Sequence, residues 1–331
     1  MPSAPLVLNP NPAPEATNVP LTLAELSFTL KDYQNDLMSY EVSTTPYIGG
    51  GSATGVGNGR YSVPVSNLQP STTYTWEVSV TDGTHSTTVA FTFTTLTPLL
   101  QDSEFNECVD SADLRANGAG QDWYESRGQR PTLLFLDQTN VGGNTGKKAG
   151  FTASSSYNAY LTQEFSSEQT GVFSVQWDIY VDSILNLGSY PDRAGIMLIG
   201  ADVDNSGGPN RNDAERFVFL AFWKDGGATS GTAQLVWMKT FSNYYPIATV
   251  NLDQWHTIKV VVNVPAGKYD VYLDGEYIAT VDACTKLSKV THISFAQWND
   301  GAGAFYVDNV FSPAIDRHKL CLLYTSPSPR D

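Results

Sequence analysis

The run from 202 to 213, DVDNSGGPNRND, places oxygen-bearing side chains where a hard cation would want them. Asp202, Asp204, Ser206 and Asp213 stand at positions 1, 3, 5 and 12, with Gly207 at position 6. Calcium takes about six to eight oxygens, and a turn with this spacing aims several inward. The run also departs from the usual pattern. Position 12 is Asp rather than the longer Glu, no helical period flanks the loop, and Pro209 stands where an apolar β-former is usual. Two readings follow: a structural calcium loop, or a solvated Gly/Asn/Asp turn between strands.

A second chemistry is carried by aromatic rings beside planar polar groups. Sugars stack their C–H faces on rings and need hydrogen bonds for their hydroxyls. Trp123 with Tyr124, and Tyr244 with Tyr245, are flanked by polar residues and read as surface platforms. Over 173–182 the residues Val175, Trp177 and Ile179 alternate with Gln176, Asp178 and Tyr180. If the first set faces a core, the second shares the opposite face. Gln297 and Asn299 form a similar pair. On a concave sheet these residues would make a polar-aromatic groove; on a flat one, an ordinary solvated face.

Other chemistries find little here. His85, His256, His292 and His318 are scattered, and there is no CxxC or HExxH, so zinc is not expected. Cys108 and Cys284 are compatible with one bridge or with two buried thiols. No Gly-x-Ser-x-Gly, phosphate loop or nucleotide fingerprint occurs.

The elements that must position these residues are strands. Period-2 alternation runs through 26–30, 39–43, 61–65, 74–80 and 89–93, separated by Asn35-Asp36, Gly49-Gly50-Gly51, Asn58-Gly59 and Asp82-Gly83. Beyond residue 98 it continues through 173–182, 233–238, 255–263, 268–274 and 292–298, and no amphipathic helix of ten residues competes. The segment 217–223, FVFLAFW, is almost continuously apolar, as in a strand covered on both faces. The expected fold class is therefore all-β: a small β-sandwich over 18–97, then a larger jelly-roll β-sandwich over 98–315. The proline-rich lead, 1–17, reads as a stiff linker.

With 19 Lys and Arg against 34 Asp and Glu, the net charge is −15, which argues against phosphate-backbone binding and hence nucleic acid. No apolar stretch approaches the ~18 residues of a membrane span.

In the first sandwich, Leu68, Pro70, Thr72 and Tyr74 resemble the L-x-P-x-T-x-Y signature of fibronectin type III domains, and 91–95 (FTFTT) resembles their last strand. The resemblance implies a tyrosine corner at Tyr74 and a spacer or binding module. In the second, 253–262 (DQWHTIKVVV) with 267–275 (GKYDVYLDG) resembles laminin-G-like and other concanavalin A-like lectin/glucanase domains. Residues 304–310 resemble the last strand of jelly-roll carbohydrate-binding modules, and 102–107 their first strand. That resemblance implies a second candidate calcium site at Asp308 with Glu104, although Asn106 stands where Glu is more usual. It also exposes a difference: the Glu-x-Asp-x-x-Glu strand of glucanases is missing.

The expected function is non-catalytic binding of a polysaccharide or cell-surface glycan, calcium-supported, in an extracellular or surface multidomain protein. A purely structural adhesin or surface-layer stalk, and a jelly-roll hydrolase or lyase, are the alternatives. Residues 321–331, CLLYTSPSPRD, resemble the in-frame translation of a transposase sequencing adapter, so 316–331 is set aside as a non-native tail.

Overall fold

The computed structural model describes residues 3–116, 120, 122–127, 132–186, 192–205, 207–210, 213–240, 243–298 and 303–312. Ser206, Asn299 and the 316–331 tail lie outside the described residues. The chain divides into two compact units between Pro98 and Leu99.

The first unit comprises β1 (Leu6–Asn11), β2 (Ala16–Val19), β3 (Glu25–Lys31), β4 (Met38–Thr45), β5 (Gly51–Val56), β6 (Gly59–Pro64), β7 (Thr73–Thr81) and β8 (Ser86–Thr95). They form a three-stranded sheet, β1-β3-β6, and a five-stranded sheet, β2-β8-β7-β4-β5. The alternation of β7 sends Tyr74, Trp76, Val78 and Val80 into the core, against Phe28, Phe91 and Phe93. The 1–17 lead is not a linker: β1 pairs with β3, and β2 runs parallel to β8. Its prolines are compatible with pairing because β1 is an edge strand with a register shift between Leu8 and Asn11. β5 lies between the turns at Gly49-Gly50-Gly51 and Asn58-Gly59 and is Gly-rich and apolar-poor, so no strand alternation marks it in the sequence.

The second unit begins with a short helix, α1 (Ser111–Ala116). Its strands are β9 (Tyr124–Glu125), β10 (Leu134–Asp137), β11 (Lys148–Phe151), β12 (Ala159–Gln169), β13 (Val172–Val181), β14 (Arg193–Gly200) and β15 (Arg216–Trp223). There follow β16 (Thr232–Thr240), β17 (Asn243–Asn251), β18 (Trp255–Asn263), β19 (Lys268–Leu273), β20 (Glu276–Asp282), β21 (Val290–Gln297) and β22 (Phe305–Phe311). They make two seven-stranded sheets, ordered β10-β11-β22-β13-β18-β19-β20 and β17-β16-β15-β14-β21-β12-β9. The architecture is an all-β sandwich.

One core lies between these sheets, with Val175, Trp177, Ile179, Val260, Val262, Leu220, Phe295 and Val307 in it. A second apolar cluster covers the other face of the second sheet: Tyr160, Ile196, Leu198, Phe219, Val236, Met238, Ala296 and Trp298. Two apolar faces explain the unbroken apolar runs of β14 and β15. Gly195, at φ +60°, sits where the register shifts between Ala194 and Met197. A Cβ there would lie 2.7 Å from Ile179 Cδ1. The shift lets Ala194 and Met197 both face the inner core and turns Arg193 to the outer side.

Residues 102–107 form a turn rather than a strand. Asp102 closes it by accepting Glu107 N–H on Oδ1 at 3.1 Å and Phe105 N–H on its carbonyl at 3.2 Å. Ser103 still meets β22 by one bond, accepting Val310 N–H at 2.8 Å.

Candidate functional site

Outward-facing residues of the first sheet line up in rows set by strand register. Tyr306, Tyr180 and Trp255 are neighbours across β22, β13 and β18. Their rings touch: Tyr180 and Trp255 centroids are 5.7 Å apart, Tyr180 and Tyr306 6.2 Å. In the next row, Asp308, Asp178 and Thr257 are partners. Beyond it come Gln176, Lys259, Tyr272 and Tyr277.

Parity therefore places Gln176, Asp178 and Tyr180 on one face opposite the core. They are not equally accessible, because the chain's own loop between β10 and β11 lies over part of that face. Lys148, fully buried, holds the loop's base by donating from Nζ to the carbonyls of Thr139 (2.7 Å) and Gly146 (2.9 Å). Trp255 Nε1 donates to Val141 O at 2.8 Å, and Asn144 Nδ2 to Asp308 Oδ2 at 2.7 Å. Gly142 rests on Tyr180, so closely that a Cβ would lie 2.5 Å from its Cε2.

Beneath this loop the carboxylates are engaged. Asp178 accepts from Thr257 Oγ1 at 2.6 Å and from Asn309 Nδ2 at 2.7 Å. Asp308 Oδ1 accepts the N–H of Asn309 at 2.8 Å. Burial pushes the Asp308 carboxyl above the ordinary carboxylate range; the bonds from Asn144 and Asn309 oppose that, and Asp178 and Glu104 add to it. Glu104 itself is exposed and accepts from Asn106 Nδ2 at 2.8 Å.

The rest of the face is open. Val261, Asn263, Ala266, Lys268, Tyr269, Asp270 and Thr280 line a cavity of about 290 Å³. Next to it, Lys259 Nζ lies 5.6 Å from the Tyr272 ring centroid, and Tyr272 meets Tyr277 edge-on at 5.6 Å. Tyr277 is 56% exposed. The hairpin turn at Asp274-Gly275, both at positive φ, brings Tyr272 and Tyr277 opposite each other. Lys268 is ion-paired with Asp282 at 3.1 Å, and Asp270 accepts from Thr280 Oγ1.

The other sequence candidates scatter. Trp123 is buried at 1% exposure with its Nε1 donating to Asp102 O, so it is core and not a platform. Gln297, also 1% exposed, lies on the second sheet with its amide donating to Ser154 O at 3.2 Å. Tyr245 is exposed and stacks on Trp237 at 5.1 Å; Tyr244 is half-buried against Phe219. Both lie on β17, away from Gln176.

In the 202–213 loop, carboxylate oxygens of Asp202, Asp204 and Glu215 lie within 4.8 Å of one another. Glu215 was missed because it follows the loop pattern by two residues. Asp213 points elsewhere: its Oδ1 accepts from Arg216 Nη1 at 2.7 Å. Asp202 Oδ2 accepts Gly207 N–H and Glu215 Oε1 accepts Asp204 N–H, at 3.1 and 3.2 Å. A similar group, Asp32, Asp36 and Asp82, occurs in the first unit. Cys108 and Cys284 are separate thiols, and burial pushes both up to about 12.

No protein-family model matches the chain, and no curated protein matches it. Solved structures do. A sialidase is similar over 73% of this chain and 21% of its own, at 12% identity and TM-score 0.42. The chain thus spans about a fifth of that protein's length. The marine PL7 alginate lyase AlyA1 from Zobellia galactanivorans is similar over 55% of this chain and 78% of its own, at 13% identity and TM-score 0.36. The carbohydrate-binding module CBM66 from Bacillus subtilis is similar over 60% of this chain and 98% of its own, at 13% identity and TM-score 0.32.

Proposed function

We propose that the second unit binds a polysaccharide or cell-surface glycan without acting on it, through the open part of the first sheet's outer face. The observation that carries this reading is the cavity beside the Lys259, Tyr272 and Tyr277 group. It offers aromatic edges and faces, an ammonium and carboxamides on a rigid sheet, which is the mixture a sugar ring needs. The volume is suited to one or two sugar units rather than a long buried chain. What supports a non-catalytic role is that the carboxylates here are engaged: Asp270 accepts from Thr280 Oγ1, and Asp282 on the neighbouring strand is ion-paired with Lys268 and Lys239.

Calcium, in this reading, is structural and sits at Asp202, Asp204 and Glu215. The first unit is a fibronectin type III-like spacer. Its strand order supports that, and so does Tyr74, whose hydroxyl accepts Gln69 N–H at 2.8 Å. The protein works outside the cell or on its surface. A glycan array probed with and without calcium tests the reading. Binding of one glycan class, lost in Tyr272→Ala/Tyr277→Ala, is expected. An array with no signal, or one unchanged by the double variant, would overturn it.

A further inference from the structure

Strand register builds a row of side chains across the open part of the first sheet. Phe311 on β22 lies opposite Gln176 on β13, and Gln176 opposite Lys259 on β18. Lys259 in turn faces Tyr272 on β19, and Tyr272 faces Tyr277 on β20. Residues paired in this way share a face. Val175 and Trp177 point into the core, so that face is the outer one. With strands about 4.8 Å apart, four steps give a row about 19 Å long.

These groups are available to a ligand. The two ends are the most open, Phe311 at 38% exposure and Tyr277 at 56%, with Gln176, Lys259 and Tyr272 half-buried between them. Among the described residues, Phe311 touches no other ring, the Gln176 carboxamide makes no hydrogen bond, and Lys259 has no ion pair. The Lys259 ammonium rests on the Tyr272 ring. Rings at the ends can take the C–H faces of sugars, while the amide and the ammonium between them serve hydroxyls.

The surroundings set the direction and the kind of chain. Along β13 the face is closed at Tyr180 by the loop between β10 and β11. Across the strands no further strand continues the row: β20 is a sheet edge, and β11 pairs with β22 only over 305–307. Adjacent strands rotate by roughly 20–25°, so the two end rings differ in tilt by about 80–100°. A single twisted chain can follow such a ribbon; a flat crystalline surface cannot. Asp178 and Asp308 stand in the next row on one side, with Asp270 and Asp282 beyond the other, which disfavours a polyanion.

We propose that the row from Phe311 to Tyr277 is an extended platform that holds an internal stretch of a single, uncharged, linear polysaccharide, its axis running across the strands. This rests on the glycan-binding reading of the first sheet and extends it from the cavity at β18–β20 to β22. Phe311 and Gln176 are the positions it adds.

The test uses the full chain, labelled with ¹⁵N, and titrates it with linear hexasaccharides of glucose, mannose and xylose, with the matching disaccharides, and with a hexauronate. One neutral hexasaccharide should bind about tenfold or more tighter than its disaccharide. The same hexasaccharide blocked at both ends should bind within about twofold of it. Binding should shift the side-chain amide signal that disappears in Gln176→Ala. Phe311→Ala should weaken the hexasaccharide about fivefold to tenfold, by loss of one stacking ring. Should Phe311→Ala lower the melting temperature, Gln176→Ala reads the same row, with an expected loss of about fivefold. Equal affinity for the two lengths, an unmoved Gln176 signal, or full hexasaccharide affinity in Phe311→Ala and Gln176→Ala would overturn the platform. If binding is then still lost in Tyr272→Ala/Tyr277→Ala, the first-sheet reading stands without it. Loss of binding on blocking the ends would mean that a chain terminus is held instead. Tighter binding of the hexauronate would overturn the uncharged assignment. If no saccharide binds at all, the platform and the first-sheet reading fail together.

Discussion

Asn144 Nδ2 donates to Asp308 Oδ2 at 2.7 Å, tying a surface loop to a β-strand 164 residues further along the chain. The bond serves the ionised carboxylate, and burial opposes that ionisation. Asp308 therefore has a folded-state pKa raised above its unfolded value. Between the two values the folded state holds more protons, so its stability falls as pH rises through that window. Asn144→Ala should raise the carboxyl further. We expect it to cost about 1.5–3 kcal/mol at pH 7, where the carboxylate is charged, and clearly less at pH 4. Urea unfolding of the second unit at both values checks this; equal losses would show that Asn144 acts through packing alone.

Tyr74 is 1% exposed, and its hydroxyl is the acceptor for Gln69 N–H. Tyr74→Phe keeps the ring stacked on Phe93 but leaves that N–H without its acceptor. The first unit's unfolding transition should lose about 1–3 kcal/mol, with the second unit's unchanged. A variant with two unaltered transitions would mean that water replaces the lost bond.

Neighbours of one parity on β13 should behave differently. Gln176 is half-buried on the open face, and Gln176→Ala should change stability by no more than about 0.5 kcal/mol. Asp178→Ala orphans the Thr257 hydroxyl and the Asn309 amide and should cost about 1–3 kcal/mol. The pair thus cannot be treated as one solvated groove, and chemical denaturation of the two single variants would expose the opposite order if the network is unimportant.

Much of this architecture was readable because strand alternation is a local signal. Val175, Trp177 and Ile179 face the core as their spacing requires, and Asp274-Gly275 makes the tight turn that its residue types favour. What escaped is non-local. Trp123 looked exposed from its polar flanks, yet Phe105 and Phe295 close around it. The loop over Tyr180 is fixed by Lys148, Trp255 and Asp308, which no window of sequence brings together. Arg193 and Arg216 come from β14 and β15 and Arg127 from the segment after β9, so only the folded register brings them beside Tyr160, Tyr244 and Trp298. Glu215 joins Asp202 and Asp204 because the loop folds back onto the start of β15, a path that ligand spacing does not encode.

Calcium that binds the folded second unit should stabilise it by RT ln(1 + [L]/Kd), about 2.7 kcal/mol at a hundredfold excess over Kd. In scanning calorimetry that corresponds to a rise of several degrees. Asp202→Asn with Asp204→Asn should abolish the rise, and so should Glu215→Gln. Asp213→Asn should not, since that carboxylate is committed to Arg216. Asp308→Asn is a further control, because both of its oxygens are already bonded. A shift that survives the Asp202/Asp204 change but disappears in Asp308→Asn would move the ion to the terminal strand. No shift in any form would leave the 202–213 loop a solvated turn, held together by its backbone bonds to Asp202 and Glu215.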